Sequence, residues 1–164
     1  SKLNFSREAL LVAAFGEGLV AAAIPLALVP VLFIFFKVPL TATMLLAPLG
    51  ILLFLVFGFT IGVLLTPLGI LYKDIGLALP LLGRFWLFLT PVVYPLPEEG
   101  LARTVLLINP ATPFVEVVRS WMLGQTPDST LFFIIYSALA VLLLFIGFIL
   151  YRLAMPIVAE RMSS

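Results

Sequence analysis

Residues 38–72 read VPLTATMLLAPLGILLFLVFGFTIGVLLTPLGILY, and the charged pair Lys73-Asp74 follows at once. No charged side chain and no polar turn divides this run. A helix needs roughly 20 mostly apolar residues to cross a hydrocarbon core about 30 Å thick, so the run is longer than one perpendicular crossing requires. It predicts a single span over 41–72, starting near Thr41 or Thr43 after Pro39, tilted or extended at its far end, with Pro48 and Pro67 near its two interfaces. In so apolar a chain, Tyr72-Lys73-Asp74 marks a point where the backbone leaves the membrane.

Three further stretches meet the same length test. The first, 19–36, lies between Glu17 and Lys37 and carries Pro25 and Pro30, either able to kink it. The third, 77–94, is interrupted by Arg84 and ends in Thr90-Pro91-Val92-Val93-Tyr94; the fourth, 129–151, stops at Arg152. The expected fold is therefore an all-α, polytopic membrane bundle of four spans in one domain. Glu17, close to Arg7 and Glu8, is expected at a boundary rather than inside the membrane.

Composition agrees. Of the 164 residues, 63% are hydrophobic and 10% charged, with a mean hydropathy of +1.29, which excludes an ordinary soluble globule. The net charge is +1 and no Lys/Arg cluster is present, so nucleic acid is excluded as a partner. The absence of Cys and His removes thiol chemistry, disulfides, Cys/His metal sites and the usual proton shuttle. No metal site and no catalytic residue is expected. The chain opens Ser1-Lys2-Leu3 without a signal-peptide pattern, and reads as part of a longer or trimmed protein.

Four crossings put both ends on one side, with Lys2, Arg7, Lys73, Arg152 and Arg161, against Lys37, Arg103 and Arg119 on the other. The excess of positive charge predicts cytoplasmic ends.

Between spans three and four, the segment 96–128 is too long for a tight turn and too apolar for a solvated loop. Leu101 to Ile108 reads as one short helix. Thr112 can cap a second, with Pro113 at its first position and Gly124 closing it, which leaves about 17 Å of helix, too short to span. Asn109-Pro110 makes the bend between the two. Phe114, Val117, Val118, Trp121 and Met122 form an apolar stripe, and Glu116 can pair with Arg119 at i, i+3. The expectation is a re-entrant or interfacial hairpin over 101–124 on the outer face, either a passive cap or a gate formed by Asn109, Pro110, Phe114, Glu116, Arg119 and Trp121.

The order Phe5-Ser6-Arg7-Glu8, two spans, Tyr72-Lys73-Asp74, a span ending Thr90-Pro91-Val92-Val93-Tyr94, then Asn109-Pro110 and a last span resembles the permease subunits of ABC-2 type exporters. The likeness is nearest to the branch that exports lipid-linked polysaccharide such as O-antigen or teichoic acid. Ser6 stands where that family has proline and Lys73 where it has arginine. Such permeases have six spans and an initial amphipathic helix, so the chain looks like the C-terminal two-thirds of one.

The resemblance implies a non-catalytic transport subunit in a bacterial cytoplasmic membrane, working as a homodimer with a separate ABC ATPase subunit that holds the ATP and magnesium. It implies ATPase coupling through Phe5, Arg7, Glu8, Tyr72, Lys73 and Asp74, which taken alone read as charges and rings holding helix ends at the water boundary. For a lipid-linked glycan, Arg84 would contact the phosphate; alternatively it snorkels to the cytoplasmic head groups. Phe85, Trp86, Phe88 and Tyr94 would line the sugar path, or else face lipid and interface as membrane aromatics commonly do. Gly58 and Gly62 form a small-xxx-small pair suited to close helix packing. Two other functions stay open: an exporter of drugs or another small substrate, and a transferase acting on polyprenyl-linked sugars.

Overall fold

The computed structural model describes residues 7–97 and 99–163, with side chains described over 9–97 and 99–156. Phe5 and the side chains of Arg7 and Glu8 lie outside the described residues. The described chain is all-helical: α1 (Arg7–Phe35), a short 3-10 helix (Ala42–Leu46), α2 (Ala47–Leu71), α3 (Lys73–Leu89), α4 (Leu101–Ile108), α5 (Ala111–Leu123) and α6 (Thr130–Ser163). Three stretches, Ala9–Phe35, Ala42–Leu71 and Thr130–Pro156, are long and apolar enough to cross a membrane; α4 and α5, bent by 102°, make a fourth only if the bent pair counts as one span.

The surface agrees with a lipid environment. Large apolar side chains such as Leu77, Phe88 and Ile34 are exposed, while Thr60, Thr90, Thr112, Ser120 and Ser129 are buried. Water would penalise such an arrangement, whereas hydrocarbon penalises exposed polar groups instead.

Three boundaries differ from expectation: α6 runs on through Arg152 to Ser163 instead of stopping there, and the other two concern the first and third helices. The first helix begins at Arg7, not near residue 19, so Glu17 sits ten residues inside it. Apolar residues on both sides of Glu17 let the helix run through it, and Pro25 and Pro30 are both accommodated. It ends at Phe35 and is closed by Lys37, whose φ of 54° is left-handed; the Val38 amide donates to Phe33 O and the Lys37 amide to Ile34 O, a Schellman closure. The third helix is α3, residues 73–89 rather than 77–94. Its 17 residues extend about 25 Å, short of a full core. Thr90 stops it, held extended ahead of Pro91.

A single extended residue, Tyr72, separates α2 from α3 and accepts the Ile75 and Gly76 amides. Gly76 lies so near Gly69 that an added Cβ would stand 3.5 Å from the Gly69 carbonyl oxygen. The two helices therefore fold back tightly.

The principal helix pair is α2 with α6, and it runs parallel: Thr60 faces Ala140, and Val63 and Leu64 face Gly147. The Thr60 hydroxyl contacts both Val56 O (2.8 Å) and Ala140 O (3.1 Å), the second across the interface. Close approach comes from Gly147, where an added Cβ would meet Leu64 at 3.1 Å. Gly58 and Gly62 do not serve this purpose, since nothing lies within 4 Å of a Cβ at either. Helix α1 is antiparallel to α2, with Phe15 against Phe59 (5.0 Å between rings) and Gly18 near Leu55. These directions put Arg7, the Tyr72 turn and the far end of α6 at one end of the bundle, and the α4–α5 hairpin at the other.

Helix α5 is seated on α2 and α6. The Phe114 ring is fully buried, 5.3 Å from the Phe54 and Phe57 rings and 5.4 Å from Phe133, and Trp121 meets Phe133 edge-on at 5.5 Å. Burying this aromatic cluster fixes the hairpin onto the bundle.

Candidate functional site

The stretches 90–94 and 109–113 meet in space through one side chain, Asn109. Its Oδ1 accepts the Trp86 indole N–H (2.8 Å) and the Ala111 amide (3.1 Å), and its Nδ2 donates to Leu89 O and Thr90 Oγ1, each at 3.0 Å. An amide side chain has two donors and one doubly accepting oxygen, so every capacity is used. Asn109 thereby caps the start of α5 and ties it to the end of α3. This corrects the expected cap: α5 begins at Ala111, with Pro110 before it, and Thr112 is inside the helix with its buried hydroxyl lacking a partner among the described residues. The Gly124 closure is as expected, at φ 71°.

A second clamp comes from Arg119 on α5. Its guanidinium donates to the carbonyls of Pro91 and Val92 through Nη2 and to that of Tyr94 through Nη1. A planar fork with several donors suits three carbonyls of one turn. The expected Glu116–Arg119 pair does not form, because each is turned to a different element. Glu116 instead accepts the Ser120 hydroxyl and the amides of Asp128 and Ser129, capping the approach to α6 from a different helix. Hairpin, α3 and α6 are thus joined by two polar residues one turn apart on α5.

Beside this junction lies a polar cavity of about 430 Å³ whose lining includes Arg103, Glu116, Arg119, Ser120, Gln125 and Asp128. Arg103 donates to Pro97 O and stands 3.7 Å from the exposed Asp128 carboxylate. Sequence reading missed Arg103 and Asp128, which are 25 residues apart with no local pattern linking them. It also missed Thr43, whose hydroxyl donates to Trp121 O (2.9 Å).

The remaining candidates are dispersed. Tyr72, Lys73 and Asp74 are exposed at the opposite end of the bundle. Trp86 is engaged with Asn109, and the Tyr94 hydroxyl donates to Phe88 O (3.2 Å). Phe85 and Phe88 are exposed along α3, and Arg84 is exposed with no hydrogen bond or ion pair among the described residues. Arg84 and the hairpin residues are not brought into one pocket. The arrangement is a mechanical junction: α3 runs from the Tyr72 turn at one end to the hairpin at the other, and polar clamps hold that far contact. No protein-family model, curated protein or solved structure matches the chain.

Proposed function

We propose that the chain is the membrane-spanning part of an ATP-driven exporter of the ABC-2 kind, moving a lipid-linked polysaccharide across a bacterial cytoplasmic membrane. The observation that carries the reading is the α3 connection. At one end α3 leaves the exposed turn Tyr72-Lys73-Asp74; at the other it is tied to the hairpin by Asn109 and Arg119. Coupling needs a contact whose geometry changes with nucleotide state and a stiff element that carries the change to a second site. The motif order described above supports the same reading.

In this mechanism the Tyr72 turn and the segment around Arg7 and Glu8 face the cytoplasm and dock on a separate ATPase subunit. The helix α3, lengthened by Thr90 to Tyr94, supplies the remaining crossing, third in chain order, set close to the membrane normal because of its short length. The α4–α5 hairpin dips back from the outer face as a gate, and two copies of the chain enclose the path. Movement at Tyr72 shifts α3 lengthwise, and Asn109 and Arg119 pass that shift to the hairpin.

The test is reconstitution with the ATPase subunit that co-purifies from native membranes. ATP hydrolysis stimulated by the permease, lost on Asp74→Lys and Tyr72→Ala while binding of the two subunits weakens, is the expected result. Failure of any nucleotide-binding subunit to co-purify, together with unchanged surface glycan after deletion of the chain, would overturn the reading.

A further inference from the structure

Among the charges that lie away from the helix ends are Glu17 in α1 and Arg84 in α3. Both are exposed, and neither has a hydrogen bond or ion pair among the described residues. Charges inside a membrane are costly and normally pair with one another. Glu17 has too short a stem to snorkel as a lysine or arginine does, so a partner must come to it.

Their depths match. Glu17 lies between Phe15 and Gly18, which sit against Phe59 and Leu55 of α2. Those α2 residues are about 18 to 24 Å along the helix from its end at Leu71, taking 1.5 Å per residue. Arg84 is about 16 Å along α3 from Lys73, which begins at the same turn. The two charges thus lie within about one or two helical turns of the same level. Helices α1 and α3 both run antiparallel to α2, and so run in the same direction as each other.

The faces around them also match. Leu10, Val20 and Ile24 flank Glu17 at helical spacing, and Leu77, Leu81 and Phe88 flank Arg84 likewise; all six are exposed. A two-fold axis along the membrane normal preserves depth and direction. Equal depth in one copy is therefore the condition for the charges to meet across a dimer, and an isologous contact would form the pair twice.

We infer that a second copy of the chain packs α1 against α3, with Glu17 of each copy paired to Arg84 of the other. This rests on the two-copy, membrane-spanning arrangement proposed above, but needs neither the ATPase nor the substrate. It gives Arg84 a carboxylate as its partner in place of a lipid phosphate.

The natural sequence has no Cys, so it is ready for site-directed cross-linking. Two differently tagged full-length chains, one carrying Glu17→Cys and the other Arg84→Cys, are co-expressed, and their membranes are treated with a short bifunctional thiol reagent. The expected product is a species of twice the chain mass bearing both tags, absent when either chain is expressed alone. In parallel, Glu17→Arg and Arg84→Glu should each lower the dimer fraction at least fivefold, and the two together in one chain should restore it to within twofold. No mixed-tag product, or an intramolecular link in a doubly substituted chain without one, would overturn the inference. Cross-linking without rescue by the charge exchange would overturn the ion pair. Dimers retained by both single variants, with Arg84→Gln losing binding to vesicles containing a polyprenyl phosphate, would give Arg84 to the phosphate and overturn it as well. ATPase stimulation is a separate readout, so loss of this inference and loss of the transport reading are distinguishable.

Discussion

At the scale of single residues, Asn109 is the most heavily engaged side chain at the junction. Asn109→Ala removes four hydrogen bonds, at about 0.5–1.5 kcal/mol each, for an expected loss of about 2 to 6 kcal/mol in detergent unfolding. In a Trp121→Phe background the sole remaining indole is Trp86, and its emission should shift as its N–H loses the Asn109 oxygen. An unchanged spectrum would refute the contact. Arg119→Lys keeps the charge and loses the fork, so we expect amide exchange in residues 92–94 to quicken and stability to fall by about 1–2 kcal/mol. The Asn109-Pro110 pair was legible as a bend because proline restricts the residue before it. What Asn109 holds was not, since its partners lie 19 to 23 residues upstream.

At the scale of elements, the helices of 38–72 and 129–151 were legible from uninterrupted apolarity alone, and α5 from its stripe. The start of α1 was not, because reading Glu17 as a boundary assumed that a carboxylate must mark the helix end. Interhelical contacts were harder still: in a chain this apolar every face looks alike, so periodicity singles out no partner. Gly58 and Gly62 matched the small-residue pattern without close contact, while Gly50 and Gly147 make the close approaches. A Cβ on Gly50 would stand 2.6 Å from Val118 of α5, so Gly50→Ala is expected to cost about 1–3 kcal/mol and loosen the hairpin. Gly58→Ala, with open space around it, should leave the unfolding midpoint of the single chain unchanged. The Thr60 hydroxyl spans the α2–α6 interface, and Thr60→Val should cost about 0.6 kcal/mol, the usual size of a hydrogen bond between membrane helices.

At the scale of the whole molecule, the bundle has two unlike ends: a bare turn at Tyr72 and a clamped junction around Asn109, Glu116 and Arg119. Under the exporter reading proposed above, a short bifunctional thiol cross-link between cysteines placed at positions 86 and 109 should freeze the junction and abolish transport while leaving the Tyr72 turn able to bind the proposed ATPase subunit, read by transport and co-purification together. The parallel α2–α6 pair has a consequence for synthesis. Thr60 and Ala140 are 80 residues apart, and at 5–20 residues per second the ribosome needs about 4–16 s to supply the second after the first. Throughout that interval α2 stands in the bilayer without its main neighbour, its Thr60 hydroxyl satisfied by the Val56 carbonyl of its own helix. A nascent chain stopped before residue 130 should therefore insert normally and yet be cleared by membrane quality-control proteases, because α6 completes the packing that α2 awaits.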